Sequence, residues 1–331
     1  MIENSNRSLL SIQDEPLNWG IDVSSQKLDL AYFGCDEVLT FPNDPQGIAQ
    51  LLQRVRARPI ARIVLEATGD YETPLVMALH EAGLPVVVMN PRNIRGFANA
   101  LGVLAKTDPL DARVIAHYAY AIQPALRPIP TEKQRKFTDF ADRRRQLIGL
   151  RTAEQNRRQQ TRDAELLASI DALLDVYNQQ LQAIDERLSQ MIAEDDSWSE
   201  RDRLLQSVIS VGPATSHALI ADLPELGTLD DRKLAKLVGL APINRDSGKQ
   251  KRPRTIGGGR ASVRAALYMA AFNAYRRNPQ IKEFYDRLRA KGKPFKVAIT
   301  ACMHKLLTIL NAIIRNKTPW KNPVNKITYN T

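Results

Sequence analysis

The sequence predicts an α/β domain at its N-terminal end, a long basic and amphipathic helical segment, and a mainly α-helical domain at its C-terminal end. Three observations carry this. Short β-rich runs are confined to the stretch before Pro91, where they first follow one another and then alternate with helical patterns. Apolar residues from Leu167 to Met191 recur at alternating steps of three and four. Beyond Asp195 the segments read as helices joined by Gly- and Pro-containing turns.

Taken in order, residues 1–17 form a loose arm. Trp19–Val23, Leu28–Phe33 and Val38–Phe41 read as strands, the last two joined by a turn at Gly34-Cys35-Asp36-Glu37. Asn43-Asp44-Pro45 caps a helix to about Arg56. Arg62–Glu66 is a buried strand ending in an acid, Thr73–Ala82 a helix closed by Gly83, and Pro85–Met89 another buried strand. Pro91 opens a helical piece, and Asp108–Ala121 is a helix. Hairpin strands followed by alternating elements give a mixed sheet with helices on its faces. That is the element order of a ribonuclease H-like fold and, roughly, of half an actin-like sugar kinase. The domain spans 18–125, and Pro124, Pro128 and Pro130 mark a linker.

Residues 126–196 form the helical segment. Its first part carries Arg143, Arg144, Arg151, Arg157 and Arg158, and its second the heptad stripe. The stripe fits a helical hairpin packed on its own domain, and it fits an intermolecular coiled coil. Residues 197–317 form the last domain, and 318–331 a Pro- and Asn-rich tail. Leu204–Ser216 reads as helix, Gly-containing turn, helix, the arrangement by which a helix-hairpin-helix offers backbone N–H groups to phosphate. An ordinary helix connection fits it as well. The loop from Asn244 to Arg260 is cationic, with Lys249, Lys251, Arg252, Arg254 and Arg260, and is followed by Arg264 on a helix.

Composition narrows the function. The chain has 331 residues, 44% hydrophobic and 25% charged, which is ordinary for a globular protein. Its net charge of +11 points to a polyanionic partner, most often nucleic acid. No stretch reaches the apolar length of a membrane span; Val297–Ile314 is interrupted by His304 and Lys305 and reads as a buried helix. The N-terminus lacks the form of a secretory signal. The 2 cysteines, Cys35 and Cys302, read as free thiols, so a reducing cytoplasm is expected, with nucleoid association when bound to DNA.

The chemistry rests on acids. Asp22 lies inside the first strand, where an unpaired carboxylate is costly to bury. Glu66 ends a strand that can neighbour it, and Asp108 and Asp111 share one side of a helix entry. Singly, each has an ordinary explanation: Asp108 as an N-cap, Asp111 as a helix-dipole partner, Glu66 as a strand-end surface acid. Together they form a hard oxygen set suited to Mg²⁺ or Mn²⁺, and such ions serve phosphodiester chemistry. In the basic loop, Ser247 precedes Gly248 among arginines and lysines that suit a phosphate. A Ser-Gly pair in a loop is also a common turn. None of the 4 histidines lies near it in sequence.

These residues resemble a known family. Gly-Ile-Asp22, Glu66-Ala-Thr-Gly and Lys-Thr-Asp108-Pro-Leu-Asp111-Ala-Arg are similar to the DEDD transposases of the insertion-sequence "one-ten" family and the related Piv-type DNA invertases. So are Gly239-Leu-Ala-Pro, Asp246-Ser247-Gly248 and Gly259-Arg-Ala-Ser-Val-Arg264. The resemblance implies a RuvC-like domain holding Mg²⁺ through Asp22, Glu66, Asp108 and Asp111. It also implies a coiled coil that joins subunits as a dimer or tetramer, and a transposase domain whose Ser247 forms a covalent phosphoserine link to DNA. Acids and serine would come from different subunits. Donor and target double-stranded DNA are the implied partners, with a structured bridge RNA as guide. Ser210 stands where members often carry the first glycine of the hairpin turn. The competing readings are a RuvC-like nuclease or junction resolvase using water, a Piv-type invertase without guide RNA, and a non-catalytic scaffold. An actin-like kinase would need a second Asp-x-Gly phosphate loop and an adenosine Gly-Gly motif, which do not appear in the expected places.

Overall fold

The structure, a computed structural model, describes residues 15–103, 108–126, 128–243 and 254–321, without the side chains of residues 108 and 109. The chain divides into two compact units, Met1–Ile129 and Pro130–Thr331.

The first unit is a mixed α/β fold. Its strands are β1 (Leu17–Val23), β2 (Lys27–Tyr32), β3 (Leu39–Pro42), β4 (Ile60–Glu66) and β5 (Val86–Met89). Helices α1 (Pro45–Arg56), α2 (Thr73–Glu81), α3 (Pro91–Ala100) and α4 (Asp108–Ile122) complete it. The strands form one sheet in the order β3-β2-β1-β4-β5. β1, β2 and β3 pair antiparallel, and β4 and β5 join parallel to β1. Local chemistry sets these elements. The Ser24 hydroxyl accepts from Lys27 N at 3.1 Å and closes the first turn. The Asp44 carboxylate accepts from Gly47 N at 2.8 Å and starts α1, with Pro45 in its first turn.

Alternation along the strands divides the core into two layers. Ile21, Leu28, Leu30, Ile63 and Leu65 face α1 and α2, where Leu51, Leu75 and Leu79 meet them. Gly20, Val64 and Val87 belong to the other face, which α3 and α4 cover with Ile94, Val114 and Ile115. A Cβ at Gly20 would lie under 3.0 Å from backbone atoms of Ala112, Ile115 and Ala116. Only glycine lets α4 come that close to β1.

The second unit is helical: α5 (Glu132–Gln160), α6 (Ala164–Ala193), α7 (Asp196–Gln206), α8 (Pro213–Asp222), α9 (Asp231–Val238), α10 (Ala261–Arg277), α11 (Pro279–Ala290) and α12 (Phe295–Asn316). α5 and α6 pack as a hairpin within the chain, tied by Arg144–Asp185 and Arg158–Asp171 ion pairs, each at 2.5 Å. The heptad stripe therefore splits. Leu181, Ile184, Leu188 and Met191 are buried in the unit's own core with Leu205, Leu267 and Leu306. Toward the hairpin tip the stripe's Leu167, Ile170, Leu174 and Tyr177 are half-buried, and Leu166, Leu173 and Val176, which lie off the stripe, are exposed on α6. A seam joining subunits along its whole length does not fit this packing, because the C-terminal half already has an intrachain partner. α12 is long and apolar enough to cross a membrane, contrary to the reading that His304 and Lys305 interrupt it. Its Ile299, Cys302, Leu306 and Leu310 are fully buried in the helical core. Burial pushes the Cys302 thiol up to about 11.

Candidate active site and nucleic-acid interface

The parallel ladder registers Gly20 with Val64 and Ile21 with Leu65. The next residues, Asp22 and Glu66, thus follow side by side at the carboxyl ends of adjacent strands. Both share the face of Gly20 and Val64, the one α4 covers. The direction of α4 follows from its aromatic contacts. Phe33, whose N donates to Asn18 O near the start of β1, stacks on Tyr120 at 4.0 Å and on His117 at 4.9 Å. The end of α4 therefore lies over the start of β1, and its first turn, with Asp111, lies toward Asp22. Asp22, Glu66 and Asp111 are all half-buried.

The sequence reading missed a fourth carboxylate on this face. Asp29 pairs directly with Asp22 across the antiparallel ladder and is 2% exposed. It accepts from the Thr40 hydroxyl at 2.6 Å and pairs with Lys27 at 3.0 Å. The Leu28-Asp29-Leu30 alternation put Asp29 in a strand; its proximity to Asp22 is a product of register and was not visible locally. Among the described residues, no three His, Cys, Asp or Glu side chains stand close enough to hold a metal ion. The side chain of Asp108 is outside that description. Carboxylate oxygens, the donors on this face, are of the type that hard divalent cations take.

Ser247, Lys249, Lys251 and Arg252 lie outside the described residues. The neck of their loop is described, and it is firmly built. Ile243 N donates to Thr255 O at 2.8 Å, bridging the two stems. Gly239 and Gly259 have φ of 80° and 57°, and a Cβ on either would strike the opposite stem under 3.0 Å away. Arg264 donates to the carbonyls of Val238, at 2.8 Å, and Gly258. Arg260 forks onto Glu225 at 2.5 and 2.6 Å and donates to Asp222 O at 2.9 Å. Arg260 and Arg264 thus hold the neck together.

The other predicted nucleic-acid contacts divide in the same way. Arg144 and Arg158 pair with Asp185 and Asp171, and Arg157 pairs with Glu154 at 2.5 Å. Arg151 reaches Asn178 at 3.2 Å, and exposed Arg143 reaches only Gln146. In the α7–α8 turn, Ser210 takes φ of 82°, the left-handed region that favours glycine. Gly212 precedes Pro213 at the start of α8, and no side chain caps that end.

An acid-bearing α/β unit and a helical unit with a necked, basic loop, carried in one chain, define a transposase once its relatives are considered. A transposase family model of the DEDD IS110 group matches residues 19–188, and the model for transposases of the IS116/IS110/IS902 family matches residues 202–286. The pilin gene-inverting protein of Moraxella bovis is 28% identical over 321 residues, covering 93% of this chain and 98% of that protein. An uncharacterized 44.8 kDa protein of insertion element IS116 from Streptomyces clavuligerus is 24% identical over 353 residues, covering 83% and 88%. The chain belongs to the IS116/IS110/IS902 family of transposases.

Proposed function

We propose that this chain is a site-specific recombinase that breaks and rejoins DNA through a phosphoserine ester at Ser247, with Mg²⁺ or Mn²⁺ held by Asp22, Glu66, Asp108 and Asp111. The observation that carries the reading is the β1–β4 register, which sets Asp22 and Glu66 side by side beneath the first turn of α4. The strand order supports a ribonuclease H-like, RuvC-like identity for the first unit. The names of the relatives support both gene inversion and transposition as outcomes.

A cation held by those acids would lower the serine's pKa and offset the phosphate charge. Everything else falls to the chain. Asp29, held by Thr40 and Lys27, stands opposite Asp22 across the ladder. The glycine-crossed neck fixes where the loop emerges, and the loop's arginines and lysines hold the phosphate. The Ser247 Oγ–P bond forms as one P–O bond to deoxyribose breaks, and the departing sugar oxygen ends as a hydroxyl. A hydroxyl from the other strand reverses the step. One ester replaces another, so no ATP is consumed. The net charge supports a polyanionic partner, and the family resemblance, not the charge, implies a bridge RNA as guide. Exposed Leu166, Leu173 and Val176 support a second copy at the hairpin tip.

The test is strand exchange on a supercoiled plasmid carrying both flanks of the coding region, with the transcribed flank supplied as RNA. Wild type should give rejoined recombinant circles. Ser247→Ala and Asp22→Asn should each lose them by at least about a thousandfold. Nicked products undiminished in Ser247→Ala would establish water as the nucleophile instead.

A further inference from the structure

The helical unit holds a groove of about 960 Å³ that the reading above does not use. It lies between the described stems of the serine loop and the outer sides of α11 and α12. Ile256, Val297 and Phe284 give it apolar walls, and Val297 is 52% exposed to water. Arg254, Arg287, Lys296 and Lys305 stand around those walls, and among the described residues no acidic side chain lines them. Arg287 and Lys305 lie 5.3 and 4.8 Å from the centre of the Phe284 ring.

The charge here differs from that on α5. There Arg144, Arg157 and Arg158 are matched by Asp185, Glu154 and Asp171. Among the described residues, none of the four cations around the groove makes an ion pair. Like charges gathered beside apolar walls repel one another, so the arrangement costs stability until a polyanion arrives. The occupant must also cover the walls. An apolar peptide would leave the cations unmatched, and an acidic peptide would leave the walls wet. A duplex presents phosphates but keeps its base faces stacked inside. An unpaired polynucleotide satisfies both demands, with phosphates on the cations and base faces on apolar and aromatic side chains.

We propose that this groove binds an unpaired stretch of nucleic-acid strand, with base faces against Phe284, Ile256 and Val297 and phosphates on Arg254, Arg287, Lys296 and Lys305. The inference rests on the recombinase reading only for its purpose: a strand seated there would be led to the neck of the Ser247 loop. Binding itself needs no serine chemistry, so the two readings fail separately.

The experiment uses the full chain and fluorescein-labelled 12-nucleotide strands of mixed sequence, as single-stranded DNA, single-stranded RNA and duplex DNA, read by anisotropy. Val297→Asp should weaken single-strand binding at least tenfold and duplex binding less than twofold, while Val297→Leu keeps wild-type affinity. Lys296→Gln with Lys305→Gln should lower the single-strand salt slope by about 1.4, two phosphates at about 0.7 each. Iodouracil-substituted strands should crosslink to the peptide containing Phe284. The DNA and RNA arms tell which strand the groove prefers, and tight binding of either supports the proposal. Equal losses on single strand and duplex, unchanged single-strand affinity in Val297→Asp, or crosslinks confined to other helices would overturn it. The Ser247→Ala protein should bind as wild type does.

Discussion

Replacing Gly20 with alanine tests whether the contact of α4 on β1 builds the acid site. The added methyl would meet backbone atoms of Ala112, Ile115 and Ala116 at under 3.0 Å. None of these is the end of a flexible side chain, so the helix must lift or the strand must bend. Overpacking of this kind costs about 1–3 kcal/mol, and three backbone collisions place Gly20→Ala near the top of that range. At about 1.4 kcal/mol per tenfold, about 3 kcal/mol raises local opening roughly a hundredfold. Hydrogen exchange read by mass spectrometry on peptides from β1 and α4 measures this directly. Exchange there should accelerate by that order, while α5–α12 peptides stay unchanged. Gly96→Ala on α3 is the control: no atom lies within 4 Å of its Cβ, so it should be neutral or stabilising by about 0.5–1 kcal/mol. Less than a threefold change in Gly20→Ala would refute the close approach and, with it, the placement of Asp111 toward Asp22.

Three further outcomes follow from the helical unit and the thiols. Ser210→Gly relieves a left-handed serine whose buried hydroxyl lacks a partner, and should add about 1 kcal/mol, or roughly 2–4 °C in the unit's melting temperature by calorimetry. Asp195 accepts from Lys133 at 2.8 Å, from the Ser197 hydroxyl and from Trp198 N, and these bonds hold its carboxyl well below the usual range. A depressed carboxylate stabilises the fold above its unfolded pKa of about 3.9 and loses that stability as pH falls through the folded value. Asp195→Ala should therefore cost about 1 kcal/mol at neutral pH and flatten the acid limb of a denaturation series below about pH 4. With a thiol reagent at pH 8, half-exposed Cys35 should react at once and buried Cys302 only on unfolding.

The order of elements in the first unit was legible because hairpin turns, the Asp44 cap and buried apolar runs are local signals. Strand ends moved by a residue or two where pairing decides them. β1 starts at Leu17 because Leu17 N finds Pro59 O at 2.8 Å. The acids Asp22 and Glu66 were legible as strand residues, but their adjacency comes from a parallel register between distant segments. Asp29 was missed for the same reason. The heptad stripe shows a different limit: spacing of three and four tells that Leu181 and Leu188 face a partner, not whether that partner is the same chain. The basic residues were legible as charges, not as members of ion pairs. Arg144, Arg158 and Arg260 have acidic partners far away in sequence, and only the fold brings them together. Arg254 was legible as part of the basic loop, but its grouping with Arg287, Lys296 and Lys305 around one groove is a property of the folded surface.

The central claim is that Ser247 becomes covalently joined to DNA under the control of the acid cluster. Denaturing the protein during reaction with its flanking DNA, digesting both, and sequencing the adducted peptide by mass spectrometry tests it most directly. The account predicts a nucleotide phosphate on Ser247, dependent on Mg²⁺ and absent from Asp22→Asn and Glu66→Gln. An adduct on another residue, or one that forms equally well in the acid variants or with the metal chelated, would contradict it.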